Sequence, residues 1–336
     1  MEIDLSLFEK VKSRIDNAES ILITSHKSPD GDSIGCSLGL FHFLKKLNKS
    51  VHICHPDEAP LFLNWAKGAN EIISNEINPE KVKQCFLNAD LIFCLDYNAP
   101  HRLGSKMEDL LVQSNAEKIL IDHHPNPSID ASVAISEVSR SSTSELICEL
   151  IVQLDCVSML DHSICEALYM GMVTDTGSFR YPSVSSRTHE LVSFLLNAGL
   201  DHSKVHSNIF DNNSIDRLRL RSYAVCNKME ILSDYPCGII SLNKEELLKF
   251  NYKKGDTEGL VNVILSVEGM KVGVIVIERE DCIKMSFRSK ENYYVNEFAS
   301  NNFNGGGHKY AAGGISNSNM NETLKDLKGL ISQIFD

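Results

Sequence analysis

The sequence predicts an α/β protein, with an N-terminal doubly wound parallel-sheet domain joined by a helical linker to a smaller C-terminal α/β domain. Three observations carry this. Apolar runs of strand length, ILITSH (21–26), VHICH (51–55), DLIFCLD (90–96) and KILID (118–122), alternate with segments of helical periodicity. These runs are continuously apolar, which suits parallel strands covered on both faces rather than a half-exposed sheet. Strands then resume near the C-terminal end as CGIISL, KVGVIVIE and CIKMSFRS, after a polar, helix-compatible stretch. The expected division is residues 1–200, a linker over 201–232, and residues 233–336, and a chain of 336 residues is long enough for two cores.

Each element has a local reason. After ILITSH, Asp30-Gly31-Asp32-Ser33 has the chemistry of a turn and helix cap, and Ile34, Leu38, Phe41 and Leu44 then recur on one helical face. Ser142 and Glu145 are spaced as a capping box, which starts a helix through Leu146 to Leu154. Within the linker, DNNS (211–214) interrupts the helical pattern. A glycine-rich segment at 304–314 precedes a closing helix in which Leu324, Leu327, Ile331 and Ile334 share a face.

Composition narrows the functional classes. The opening MEIDLSLFEKVKSRID has neither a basic lead nor a continuous apolar stretch, and no later apolar run approaches the roughly 20 residues that span a bilayer. Neither a signal peptide nor a membrane anchor is expected, and the expected location is the cytoplasm. Ten cysteines lie mostly inside apolar stretches with no C-x-x-C pair, so buried reduced thiols are expected rather than zinc ligands or disulfides. A net charge of −12 disfavours tracking along long nucleic acid, while short or singly engaged phosphates stay compatible. Residues 233–336 carry 12 basic and 14 acidic side chains, so most of the acid surplus falls in the first part. A cation-binding domain shows such a surplus, as does an ordinary solvated acidic face.

Asp and His concentrate at four places where strands are expected to end: His26, Asp30 and Asp32; Asp96; Asp122, His123 and His124; and Asp175 after the apolar run ALYMGMV. Singly, each reads as a turn, a cap or a loop residue. Together they form an oxygen and imidazole ligand set without thiolate, which suits Mn²⁺ or Mg²⁺, and the carboxyl ends of strands in an open α/β sheet converge on one crevice.

H-x-x-x-D-x-D at 26–32, the lone Asp96, D-H-H at 122–124 and D-T-G at 175–177 resemble, in order and spacing, the four motifs of the DHH phosphoesterases. F-R-S (287–289) and G-G-G-H (305–308) resemble the DHH-associated second domain. The resemblance covers nearly the whole chain, and within the superfamily it is similar to the branch of nano-RNases and pAp phosphatases. It implies an active site in the cleft between two domains and two Mn²⁺ ions, with Mg²⁺ or Co²⁺ as substitutes. One ion would be held by His26, Asp30 and Asp96, the other by Asp32, Asp96, His123 and Asp175, with Asp96 bridging. It further implies that Asp122 orients a histidine ring and that His124 faces the substrate phosphate. Arg288, Gly305, Gly306, Gly307 and His308 would bind the far end of the substrate.

Such an enzyme, a monomer or homodimer, would hydrolyse RNAs of two to five nucleotides and 3′-phosphoadenosine 5′-phosphate, without long double-stranded nucleic acid or membrane as partners. The chemistry needs this residue set because a phosphodiester repels nucleophiles. Paired divalent ions neutralise that charge and acidify water. Arginine and glycine-rich backbone suit phosphate oxygens for geometric reasons. The same motifs serve phosphodiesterases of cyclic di-AMP and pApA and, with added modules, RecJ-like single-strand exonucleases. A non-catalytic nucleotide sensor is the reading from another class.

Overall fold

The computed structural model describes residues 3–335, and the chain divides into two compact units, Met1–Asn212 and Asn213–Asp336. In the first unit, helix α1 (Leu5–Asn17) leads into β1 (Ser20–Ser25), α2 (Gly31–Lys46), β2 (Ser50–His55) and β3 (Ile72–Ser74). Next come α3 (Pro79–Asn88), β4 (Leu91–Leu95), α4 (Gly104–Gln113), β5 (Glu117–Asp122) and β6 (Val133–Ser136). Helices α5 (Thr143–Gln153), α6 (His162–Asp175), α7 (Ser186–Asn197) and α8 (His202–Phe210) complete it. The strands form one sheet in the order β3-β2-β1-β4-β5-β6, with every pairing parallel.

The continuous apolar strands are explained by cover on both faces. Ile21 and Ile23 of β1, Phe93 and Leu95 of β4, and Ile119 and Ile121 of β5 point into the layer that holds α1, α2, α5 and α6. Their neighbours Leu22, Ile92, Cys94 and Leu120 point into the opposite layer with Val82 and Phe86 of α3 and Met107 and Leu111 of α4. Burying each such Ile, Leu or Phe is worth about 1.5–3 kcal/mol relative to leaving it in water.

Helices α2 and α6 pack against each other through a row of glycines. Gly31, Gly35 and Gly39 recur every fourth residue on α2, so they share one face. A Cβ on Gly35 would stand 2.6 Å from the Ala167 carbonyl oxygen, and one on Gly39 would stand 2.3 Å from Leu168 Cδ2. On the facing helix, a Cβ on Gly171 would meet Ser144 Oγ at 1.9 Å and Asp32 Oδ1 at 2.7 Å. Gly35→Ala should therefore force the helices apart and cost about 1–3 kcal/mol in urea unfolding. A change under about 0.5 kcal/mol would show that this packing is compliant.

The second unit contains α9 (Ile215–Lys228), β7 (Met229–Ile231), β8 (Cys237–Leu242), α10 (Lys244–Lys249), α11 (Leu260–Leu265) and β9 (Val272–Glu278). After these come β10 (Ile283–Ser289), α12 (Asn296–Asn302), β11 (Gly306–His308), β12 (Ala311–Ser316) and α13 (Met320–Leu330). Its sheet runs β11-β12-β10-β9-β8-β7, with β8 and β9 parallel and the other pairings antiparallel. Alternate residues again serve two layers. Val274, Val276, Met285 and Phe287 face Phe298 and Leu327, while Ile240, Ile275 and Ile277 face Leu220, Leu260 and Ile264.

Three details differ from the sequence expectation. ALYMGMV is part of helix α6, so Asp175 ends a helix and not a strand. The run is apolar all round because α6 is packed on several sides by α2, α5, α7 and α8, and periodicity cannot tell such a helix from a buried strand. The stretch 201–232 is shared between the units: Val205 and Ile209 of α8 lie in the first core, Leu220 and Ala224 of α9 in the second. The Ser142 and Glu145 pair forms only half of a capping box. Ser142 Oγ accepts from Glu145 N at 3.0 Å, but the Glu145 carboxylate is taken up by Arg140, Ser141 and Thr188.

All ten cysteines are free thiols, seven of them buried. Among the described residues no helix is long and apolar enough to cross a membrane.

Candidate metal centre and phosphate-binding face

The strand order reverses between β1 and β4, and residues just beyond the carboxyl ends of those two strands open the site: His26 after β1 and Asp96 after β4. This is where an open α/β sheet leaves a crevice. Asp122 ends β5, followed by His123 and His124, while Asp30 and Asp32 start α2 and Asp175 ends α6.

Asp96 is the centre of the arrangement. Its Oδ2 lies 3.3 Å from His26 Nε2 and its Oδ1 lies 3.5 Å from His123 Nε2, so each oxygen addresses a different histidine. Its backbone is in the left-handed region, with φ of 64°, a strained conformation that aims the side chain into the crevice. His26 Nε2 is also 3.7 Å from Asp30 Oδ2, and His123 Nε2 is 3.5 Å from Asp175 Oδ2. The structure therefore gathers His26, Asp30 and Asp96 in one group and Asp32, Asp96 and His123 in a second, each with ligand atoms within 4.8 Å of one another.

These separations fit cations. Two ligand atoms each about 2.1 Å from one ion at octahedral angles stand roughly 3 Å apart. The histidine tautomers fit as well. His26 Nδ1 lies 2.9 Å from the Lys27 carbonyl oxygen and His123 Nδ1 lies 3.3 Å from that of Arg140. Each Nδ1–H thus donates to the backbone and turns Nε2 toward the carboxylates, as in histidine metal ligands. Hard oxygen and imidazole donors without sulfur select Mg²⁺, Mn²⁺ or similar ions.

The electrostatics ask for positive charge. Burial pushes the Asp96 carboxyl well above the usual carboxylate range, and the nearby Asp32 adds to the push. Burial raises Asp32 too. At His26 burial opposes the charged ring, yet the hydrogen bond to Asp96 and the charge of Asp30 outweigh it and lift the pKa to about 9. His123 is raised likewise, with burial overcome by Asp96 and Asp32. Without metal, protons neutralise this cluster, and divalent ions would replace them. His124 differs: burial and the charge of His123 hold its pKa down to about 2, and its Nδ1 lies 2.7 Å from Asp122 Oδ1.

Sequence reasoning missed the residues that hold the carboxylates. The first N–H groups of α5 point at Asp32, Thr143 N at 2.7 Å from Oδ2 and Ser144 N at 2.9 Å from Oδ1, and Thr143 Oγ1 donates to Asp96 Oδ1 at 3.0 Å. A helix N-terminus favours an anion there. The capping signal at Ser142 marked this helix start, but nothing in the sequence paired it with Asp32. Buried Glu145, bonded to Arg140 Nη1 at 3.0 Å, steadies the loop whose carbonyl holds His123.

In the second unit, Arg288 on β10 pairs with Ala311 on β12, which pairs with His308 on β11. Residues in register across a sheet share a face, so Arg288 and His308 flank a small alanine on one face. Two of the three glycines are required by packing: a Cβ on Gly305 would meet the Gly313 carbonyl oxygen at 2.0 Å, and one on Gly307, at φ of 141°, the Ala311 oxygen at 2.4 Å. At Gly306 a Cβ would meet nothing within 4 Å, so packing does not require a glycine there.

Residues 20–172 match the DHH family, N-terminal domain, and residues 239–333 match the DHHA1 domain. A crystal structure of an exopolyphosphatase-related protein from Bacteroides fragilis is 37% identical with a TM-score of 0.94, covering 98% of this chain and 97% of that one. The bifunctional oligoribonuclease and PAP phosphatase NrnA of Bacillus subtilis (strain 168) is 26% identical over 318 residues, 94% of this chain and 96% of its own. The protein of the same name from Thermus thermophilus is 28% identical over 297 residues, 87% of this chain and 83% of its own. With an aspartate-centred histidine cluster in the first unit and the glycine-rich hairpin in the second, this chain belongs to the DHH family and carries a DHHA1 domain.

Proposed function

We propose that this protein is a Mn²⁺-dependent phosphoesterase that hydrolyses very short RNA oligonucleotides to mononucleotides and 3′-phosphoadenosine 5′-phosphate to AMP. The observation that carries the reading is the pair of ligand groups that share Asp96. The names of the relatives in Bacillus and Thermus support both substrate classes. A cytoplasmic setting is supported by ten free thiols.

His26, Asp30 and Asp96 would hold one ion, and Asp32, Asp96, His123 and Asp175 the other. Bound divalent ions supply charge neutralisation and acidify the attacking water. The chain's own residues do the rest. The α5 N-terminus fixes Asp32 before any cation arrives, which removes an ordering cost from binding. Asp122 fixes the His124 ring by accepting from its Nδ1–H, which leaves the neutral ring with an unprotonated Nε2 that serves beside the phosphate as a proton acceptor. Arg288 and His308 take a phosphate other than the one hydrolysed, with Gly305, Gly306 and Gly307 allowing its close approach. Arginine suits this role because its planar fork matches two phosphate oxygens.

A time course with 5′-labelled RNAs from two to 24 nucleotides and with 3′-phosphoadenosine 5′-phosphate, in Mn²⁺ and in Mg²⁺, tests the proposal. Mononucleotides should accumulate from the shortest RNAs and AMP from the bisphosphate, while the longest RNA persists. Preferential decay of the longest RNA, or absence of turnover in both metals, would overturn it.

A further inference from the structure

Tyr294 and Tyr310 of the second unit lie on the surface and touch each other: they are 42% and 37% exposed, with ring centroids 5.7 Å apart. Among the described residues the only other exposed Phe, Tyr or Trp is Phe210 of the first unit. A single exposed ring is ordinary, but two in contact make an apolar surface that folding has left in water. Their backbones are held in place. Tyr310 stands in the two-residue turn between β11 and β12, and its carbonyl oxygen accepts from Ser289 N at 3.0 Å. The neighbouring Lys309 carbonyl oxygen accepts from Val295 N at 2.8 Å, so the residues that follow Arg288 and Tyr294 both close on this one turn. Lys309 Nζ lies 5.2 Å from the centroid of the Tyr294 ring. Tyr294 is therefore engaged by a cation as well as by Tyr310, which it buttresses.

The place of the turn says what the rings are for. Tyr310 lies two residues after His308 and immediately before Ala311, the register partner of both His308 and Arg288. Those two side chains are the ones proposed to take a second phosphate, and in a nucleotide a phosphate arrives with a base attached through its ribose. Bases stack on aromatic side chains whatever their identity, because every base has a π-face. Tyrosine suits the task because it offers a large rigid face with only two side-chain torsions to order. We infer that Tyr310 is a further substrate-binding residue, stacking on the base of the nucleotide whose phosphate Arg288 and His308 hold, with Tyr294 as its support. This rests on the proposed phosphoesterase reading, and it gives the site a grip on short RNA that does not depend on sequence.

Stacking can be separated from support of the hairpin. Tyr310→Ala removes the ring, Tyr310→Phe keeps it without the hydroxyl, and both keep the backbone bond to Ser289. Each full-length variant is assayed with Mn²⁺ on 3′-phosphoadenosine 5′-phosphate and on its abasic analogue, in which hydrogen replaces the adenine, and its size is followed by sedimentation velocity. For Tyr310→Ala, kcat/KM should fall roughly five- to a hundredfold on the nucleotide and stay nearly unchanged on the abasic analogue, while Tyr310→Phe keeps most of the activity on both. All three proteins should sediment as the same species. Equal losses on the two substrates would make Tyr310 a prop of the hairpin and overturn the inference, as would a Phe variant as poor as the Ala variant. A smaller species for Tyr310→Ala would assign the rings to a contact between copies of the chain and overturn it too. If the unmutated protein hydrolyses neither the bisphosphate nor short RNA, the phosphoesterase reading falls and this inference with it, whereas an active parent with unaffected variants refutes the inference alone.

Discussion

Asp96→Ala is expected to abolish turnover and tightly bound Mn²⁺ together. One carboxylate oxygen addresses His26 and the other His123, so a single substitution removes a ligand from both groups. It also removes the charge that burial and Asp32 make costly to keep without a cation, so the protein should stay folded. His124→Ala should behave differently, because the His124 Nδ1 is committed to Asp122 and its ring is not a proposed ligand. That variant should keep its metal and lose rate by about 10²–10⁴, the range of a positioned proton-transfer group. Metal analysis of gel-filtered protein decides the matter, and two tightly held ions in the Asp96 variant would defeat the bridging assignment.

Arg288→Ala should lower kcat/KM on dinucleotides and on 3′-phosphoadenosine 5′-phosphate by roughly ten- to a hundredfold, since a hydrogen bond to a charged group is worth about 1.5–3 kcal/mol. On bis-p-nitrophenyl phosphate the same variant should be nearly unchanged. Arg288 shares a face with His308 across Ala311, in a unit that holds none of the proposed metal ligands, so its removal leaves the metal centre assembled. Equal losses on both substrate types would mean that Arg288 supports the fold instead, and selectivity for short substrates would need another source.

Much of the first unit was legible because its physics is local. Four continuous apolar runs became β1, β2, β4 and β5, since a strand covered on both faces has no polar positions to interrupt the pattern. Strands β3, β6 and β7 were not foreseen; at three or four residues they are held by neighbours rather than by their own pattern. The glycine-rich segment hid β11 and β12, because glycine carries no strand signal even where packing demands it, as at Gly305 and Gly307. At the site, Asp and His residues could be read from the D-H-H and H-x-x-x-D-x-D patterns. Their supports could not: Thr143 and Ser144 act on Asp32 through backbone N–H groups, which every sequence has.

Gly171 lies deep in the core, yet the nearest atoms to its missing Cβ are Ser144 Oγ and Asp32 Oδ1. The spacing of two apolar helices and the position of a proposed ligand carboxylate are therefore one mechanical quantity. A single added methyl group, with no change of charge or polarity, would act as a wedge against Asp32, so a lesion that looks like a core defect in the sequence would be felt as a loss of cation affinity.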